Sequence, residues 1–337
     1  MALSVFYAIS KNFFLDSADK HGISENTSSR FGGLLVLLGS FGFIFLQVSI
    51  EKGSFLHSPS DFSSYLPNYL LFALVAGGIG LWEDYTERLS PLFRLQLLFL
   101  VVGIHFWLIG ADLPKDVFSN EFPQFLNHPF AVGLGMTICV VGFINAGNVA
   151  DGANGLLSSI AIVVFLIGYL ETGSLMALAL LLSTLLFSIF NMATGSIFLG
   201  DSGAYFLSAS MALICADLYM RGASSVWFYA CLLGYPCIEL VRAIYVRWSL
   251  GGPLLTADNN HLHNMLFEKL KQSGLSPLVG NTATGLLLAT CSITVPLTFY
   301  SLKLLPLDSA GWFLLFGLYC SVHLLLARYL WFKVRKF

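Results

Sequence analysis

Residues 129–170 read PFAVGLGMTICVVGFINAGNVADGANGLLSSIAIVVFLIGYL, with one charged side chain, Asp151, in the whole stretch. Two apolar runs, 130–147 and 156–170, flank a short polar break. A helix that crosses the hydrocarbon core needs about 17–25 mostly apolar residues, and these runs approach that length. Within the break, Asn145, Asn148 and Asp151 recur every three residues, a spacing that puts them on one face of a helix end. Gly152 and Gly155 allow sharp turns and close ligand approach. An isolated Asp-Gly would read as a helix C-cap and turn, but three amide or acid groups at one spacing point to a site.

The same alternation extends in both directions. Further apolar runs lie near 31–50, 68–82, 95–110, 174–190, 203–220, 225–246, 280–302 and 309–332, which makes ten, with residues 1–15 as a short eleventh. The runs at 68–82 and 95–110 are short, so their helices should extend into the flanking loops. The chain is 56% hydrophobic and 11% charged, where a soluble domain is about a quarter charged. The expected fold is all-α: one polytopic integral membrane domain over 1–337 with about ten to eleven transmembrane helices. No basic patch is present, so nucleic acid is excluded as a partner. The six cysteines lie in apolar stretches without a Cys-x-x-Cys pair and read as packing residues. Residues 1–15 carry Lys11 and no small-residue cleavage site, so no cleavable leader is expected.

Basic residues orient such a protein, because they concentrate in cytoplasmic loops. Segments 1–30, 83–94, 148–155, 191–202, 247–279 and the C-terminal tail form one side. They carry 12 of the 17 lysines and arginines; the opposite loops carry 4, and Arg242 lies inside a span. The richer side is expected to be cytoplasmic, and it contains every loop with chemistry. In the 247–279 loop, Gly251-Gly252-Pro253 is a break, and His261 to Gln272 suits a short amphipathic surface helix.

Four polar breaks therefore share one face. Besides 145–154, the 191–202 break holds Asn191, Phe198 and Asp201. Asp201 sits between two glycines; it suits an N-cap or an Mg²⁺ ligand, since that ion takes few protein carboxylates and keeps waters and phosphates. The 83–94 break opens with Glu83-Asp84, paired carboxylates that can raise one pKa and supply a base, or share a cation. The 247–279 break holds Asp258 and the His261-Leu262-His263 pair. No further Cys or His completes a zinc site there, whereas histidines can stabilise charge on a phosphate. Glu239 and Arg242, three residues apart, suit a mutual ion pair inside a span.

Taken in order, these motifs resemble the polyprenyl-phosphate N-acetylhexosamine-1-phosphate transferases of glycosyltransferase family 4, from about Asp16 to Leu266. The family's members begin O-antigen, lipopolysaccharide and related cell-envelope glycans at the bacterial inner membrane. The resemblance implies a cytoplasmic-face active site and transfer of a sugar 1-phosphate, most often GlcNAc-1-phosphate, from a UDP-N-acetylhexosamine to undecaprenyl phosphate, with UMP released. It assigns Mg²⁺, with Mn²⁺ as substitute, to Asp201, with Asp151 as second candidate ligand. It places Asn145, Asn148, Asp151, Asn154, Asn191 and Arg30 around the substrates and Phe198 against uracil. It makes Glu83 and Asp84 the base or orienting pair, and His261 and His263 contacts to phosphate or sugar. The expected partners are the two substrates and the bilayer, with a homodimer among the assemblies considered. The chain departs from the family at Glu83, Asn154 and Asn264, which replace Asp, Asp and His, and in its first loop. A phospho-N-acetylmuramoyl-pentapeptide transferase fits less well, because its Pro-x-His-His-His run is replaced here by Asp258-Asn259-Asn260-His261-Leu262-His263. A transporter or non-catalytic scaffold is the alternative without chemistry; a transporter would favour mid-bilayer charges and internal repeats, whereas no repeat is seen and the acids cluster at span ends.

Overall fold

The computed structural model describes residues 15–16, 28–52, 67, 69–109, 128–221, 225–253, 260–307 and 309–334. The eleventh span expected at the N-terminus, most of the 16–30 loop, and Asp258 lie outside the described residues. The architecture is all-α. Its helices are α1 (Gly32–Lys52), α2 (Leu70–Thr86), α3 (Pro91–Leu108), α4 (Pro129–Ala150), α5 (Leu156–Thr172) and α6 (Leu175–Thr194). They continue as α7 (Gly200–Met220), α8 (Val226–Leu232), α9 (Gly234–Ser249), α10 (Leu262–Gln272), α11 (Pro277–Ser301) and α12 (Gly311–Val334). Two two-residue strands, β1 (Leu15–Asp16) and β2 (Ser28–Ser29), pair antiparallel just before α1.

Local chemistry sets the helix ends. Ser90 caps α3 by accepting from Phe93 N–H, and Pro91 fills the first helical position, where a missing N–H costs nothing. His128 caps α4 by accepting from Phe130 N–H ahead of Pro129, and Pro277 opens α11 with no side-chain cap from Ser276. Gly173 and Gly195 close α5 and α6 in the left-handed region, at φ 65° and 59°, which glycine adopts without a Cβ penalty.

Each of the ten expected apolar runs is helical. Among the described residues, seven helices are long and apolar enough to cross a membrane, or eight if the bent pair α8–α9 is one span. The helices at 70–86 and 156–172 are shorter, at 17 residues each. The short runs extend as expected, α2 to Thr86 and α3 back to Pro91. The continuous span expected over 225–246 is corrected: the chain bends by 80° between Leu232 and Gly234. Gly234 and Pro236 stand at the restart, and proline suits a helix's first turn, where its missing N–H is not needed. The expected amphipathic helix after the Gly-Gly-Pro break is present as α10.

Helix α7 is the hub, buried along nearly its whole length and packed by α1, α2, α4 and α5. Its small residues, including Gly203, Ala204, Ser208 and Ala212, let neighbouring backbones come close, the usual basis of helix packing in lipid. Large apolar side chains such as Trp107, Leu186, Leu314 and Leu325 face outward on the peripheral helices, as a hydrocarbon solvent permits. Cys215 and Cys231 are buried as expected of packing residues, whereas Cys139 and Cys291 face outward.

Candidate active site

The site is built at the N-terminus of α7. Helix α2 approaches it so closely that a Cβ on Gly80 would stand 2.3 Å from the Asp201 carbonyl oxygen. One turn later on the same face, beyond the apolar stretch of α2, Asp84 reaches over the end of α7. Its Oδ1 accepts from Asp201 N–H at 3.0 Å and its Oδ2 from Ser202 N–H at 2.8 Å. A carboxylate from one helix therefore caps another, satisfying backbone donors that have no partner within α7. Burial and the neighbouring Asp201 carboxylate nevertheless push the Asp84 carboxyl up to about 6, outweighing the two backbone bonds.

Charge crowds around this cap. The Arg94 guanidinium donates to Asp201 Oδ2 at 2.6 Å and lies 3.9 Å from Glu83 Oε1. Leu89 N–H donates to Glu83 Oε2 at 2.9 Å, folding the short link between α2 and α3 over the site. Arg30 lies 4.0 Å from Asp84 and 3.4 Å from Glu87. The Asn148 side-chain amide lies beside the Asp201 carboxylate. Asp151, at the C-cap of α4, has its carboxyl raised well above the ordinary range by burial and then by Asp201 and Asp84. Glu83, Asp84, Asp151, Asp201, Arg30 and Asn148 are thus brought together, and two residues the sequence reading missed, Arg94 and Glu87, join them. Arg94 carried a signal: a cation in the first turn of a helix opposes the dipole unless an acid holds it there.

Among the described residues, no group of three or more His, Cys, Asp or Glu side chains is close enough to hold an ion. Mg²⁺ asks for less, since one or two carboxylates suffice when phosphates and waters complete the shell. Asp201 and Asp151 are hard oxygen donors whose charges already repel each other, a donor set that suits such a cation.

Other expected site residues brace the loops. Asn191 Oδ1 accepts from Gly155 N–H at 3.0 Å, and its Nδ2 donates to the Ile197 carbonyl at 2.8 Å and to Asn154 Oδ1 at 3.4 Å. Asn154 N–H donates to Asn281 Oδ1 at 2.8 Å, tying this turn to α11. Asn145 donates to the Val141 carbonyl of its own helix at 2.8 Å. Phe198 is half-buried, and its backbone pairs with Ser29 and Gly32, docking the first loop beside Asp201.

The histidines form a second cluster that touches the first. His261 and His263 are buried and their rings stack 5.4 Å apart at 8°. His263 Nδ1 is 3.3 Å from the Tyr235 hydroxyl, and a Cβ on Gly152 would meet His263 Nε2 at 2.1 Å. The histidine turn is therefore seated directly on the Asp151-Gly152 turn. Burial, then the neighbouring His261, lowers His263 to about 3, so its ring is neutral. The expected Glu239–Arg242 pair is present, with Arg242 Nε 3.1 Å from Glu239 Oε2.

These features define a polytopic helical membrane protein with a carboxylate- and arginine-rich site at the end of its central helix. Residues 66–219 match the model of glycosyl transferase family 4, the family that the motifs resemble. A probable undecaprenyl-phosphate N-acetylglucosaminyl 1-phosphate transferase of Bacillus subtilis is 26% identical over 75% of this chain and 69% of its own length. The undecaprenyl-phosphate alpha-N-acetylglucosaminyl 1-phosphate transferase of Thermotoga maritima is 30% identical over 60% of this chain and 62% of its own. A phospho-N-acetylmuramoyl-pentapeptide-transferase of Streptococcus agalactiae is 30% identical over 44% of this chain and 48% of its own.

Proposed function

We propose that this protein transfers N-acetylhexosamine 1-phosphate, with GlcNAc-1-phosphate the first choice, from a UDP-sugar to undecaprenyl phosphate. The observation that carries this reading is the convergence of Glu83, Asp84, Asp151 and Asp201 with Arg30 and Arg94 around the end of α7. In the proposed step, an oxygen of the lipid phosphate attacks the β-phosphorus of the nucleotide sugar. The bond from that phosphorus to the bridging oxygen breaks, and UMP leaves with the electron pair. The product is undecaprenyl-diphospho-N-acetylhexosamine, the first membrane intermediate of O-antigen or other cell-envelope polysaccharides. In this reading the site faces the cytoplasm of a bacterial inner membrane, where both substrates are available.

Both reactants are anions, so the site must neutralise charge. A helix N-terminus commonly does this for phosphate, but in α7 Asp84 already takes two of the first-turn donors, those of Asp201 and Ser202. The work falls to Arg30 and Arg94, which can hold phosphate oxygens in bidentate fashion. Asp201 and Asp151 would hold Mg²⁺, or Mn²⁺ in its place, and the bound ion would screen charge on the diphosphate. A phosphate's second pKa is about 6, so the lipid phosphate arrives mostly dianionic. Glu83 and Asp84 then orient it more than they deprotonate it. His263, neutral and seated against Gly152, offers a hydrogen bond at the sugar-phosphate side.

The test is a membrane assay with undecaprenyl phosphate and a panel of UDP-sugars, with and without Mg²⁺, following UMP. UMP release that needs both the lipid and the metal is the expected result. The panel includes UDP-N-acetylmuramoyl-pentapeptide, because relatives with that activity in their names also match. Turnover with the pentapeptide donor alone would move the assignment there, and no release with any donor would favour a scaffold. The same assay checks the histidine seat. Gly152→Ala should push His263 off the Asp151 turn and lower turnover about 10²-fold, with the circular dichroism spectrum unchanged. Wild-type turnover in that variant would remove the contact from the working site.

A further inference from the structure

The Glu239 carboxylate is fully buried in the first half of α9, and it accepts five hydrogen bonds. Two come from Arg242, one turn along the same helix. His261 Nδ1 and the Leu262 backbone N–H each donate to Oε1 at 3.1 Å. His323, from the last helix α12, donates through Nε2 to Oε2 at 2.9 Å. An ionised carboxylate accepts only, so both imidazoles must present an N–H to it. For His261 this fixes the proton on Nδ1 and leaves Nε2 as the nitrogen that faces other chemistry. The Leu262 bond also supplies an N-terminal cap for α10, whose own His261 side chain provides none.

A buried ion pair alone is weak evidence for anything beyond packing. Here the geometry is directional. Glu239 holds His261; His261 stacks on His263; His263 meets Gly152, next to Asp151. Each contact leads toward the carboxylate site. Arg242 also donates to the Asn260 carbonyl, so the residue that enters the turn is held from the same helix.

We propose that Glu239 is a positioning residue for the transfer reaction, fixing the orientation and tautomer of His261 and thereby the seat of His263, with His323 locking the carboxylate from α12. This rests on the transferase reading above. The arrangement resembles the way buried acids orient histidines elsewhere, where the acid sets the tautomer and never meets the substrate.

The experiment compares Glu239→Gln and His323→Gln with wild type in two readouts. The first is steady-state kinetics for UDP-sugar and undecaprenyl phosphate. Glu239→Gln presents an amide N–H where His261, His323 or Arg242 donates, so kcat should fall about 10- to 100-fold while both KM values stay within about threefold. His323→Gln leaves the Glu239–Arg242 pair intact and should lower kcat by a smaller factor in the same pattern. The second readout is labelling by diethyl pyrocarbonate, read peptide by peptide in a mass spectrometer. Labelling of His261 should rise in both variants, with His128 unchanged. Unchanged His261 labelling overturns the proposal, as does raised labelling with wild-type kcat. If Glu239→Gln fails to fold, His323→Gln decides on the same criteria. If wild-type protein releases no UMP, the transferase reading fails by itself, and the labelling still decides whether Glu239 sets the turn.

Discussion

Asp201→Asn should abolish turnover, by about 10³-fold or more if it removes both an electrostatic partner and a metal ligand, while the protein stays folded in the membrane. The asymmetry follows from what each part of Asp201 does. Its backbone N–H, held by Asp84, starts α7 and is untouched by the change. Its side chain is partly exposed and pairs with Arg94 at 2.6 Å. A fully exposed pair contributes only about 0–1 kcal/mol to stability, and this mostly buried one contributes more, but asparagine keeps an oxygen that can accept from Arg94. Losing the charge is offset by relief of repulsion with Glu83 and Asp84, and Arg94 keeps Glu83 at 3.9 Å. Melting temperature should therefore hold or rise slightly, while UMP release disappears. A purified Asp201→Asn protein that turns over within tenfold of wild type would remove both the metal role and the charge role from Asp201. Restoration of activity in the variant by raised Mg²⁺ would separate them, leaving Asp201 as one metal ligand among several.

Much of this site was legible in the chain. The apolar runs gave the helices, since an all-helical membrane protein has only one way to satisfy its backbone in lipid. The four polar breaks gave the acids, because charge concentrated at span ends has few structural uses. What the residue pattern did not reveal was the use of each group. Asn154 and Asn191 have the composition of ligand-binding amides, yet Asn191 spends its amide on Gly155, Ile197 and Asn154, and Asn154 is tied to Asn281 through its own backbone N–H. That role depends on which turns meet in space. His323 is a lone histidine in an apolar helix, and its partner stands 84 positions away. The bend at Gly234 had a visible cause in Gly234 and Pro236, but a run of apolar residues on both sides reads as continuous when only length is counted. Asp84 shows the limit most plainly. Its pairing with Glu83 suggested a base, whereas the close approach at Gly80 turns its carboxylate onto the backbone of α7.

That cap leads to the second large effect. Asp84→Ala should cost about 2–3 kcal/mol of stability, since it removes an N-cap and two charge-assisted bonds to buried N–H groups. Those donors, on Asp201 and Ser202, have no replacement within α7, and the first turn should fray. Asp201 rides on that turn, so a shift of about 1 Å is enough to lower turnover about 10²-fold. Asp84→Asn separates position from charge. Its Oδ1 can still accept one N–H, and asparagine ranks with aspartate as a cap. If Asp84 acts mainly by holding α7, Asn should keep the melting temperature near wild type and retain clearly more activity than Ala. If its charge also orients the lipid phosphate, Asn and Ala should be equally inactive despite their different stabilities. Thermal unfolding in detergent beside UMP release reads both quantities on the same preparations. An Asp84→Ala protein as stable as wild type would show that α7 begins without this cap. Gly80 would then be left as a close contact with no charge to deliver, and the site would have to be organised from Arg94 and Asp201 alone.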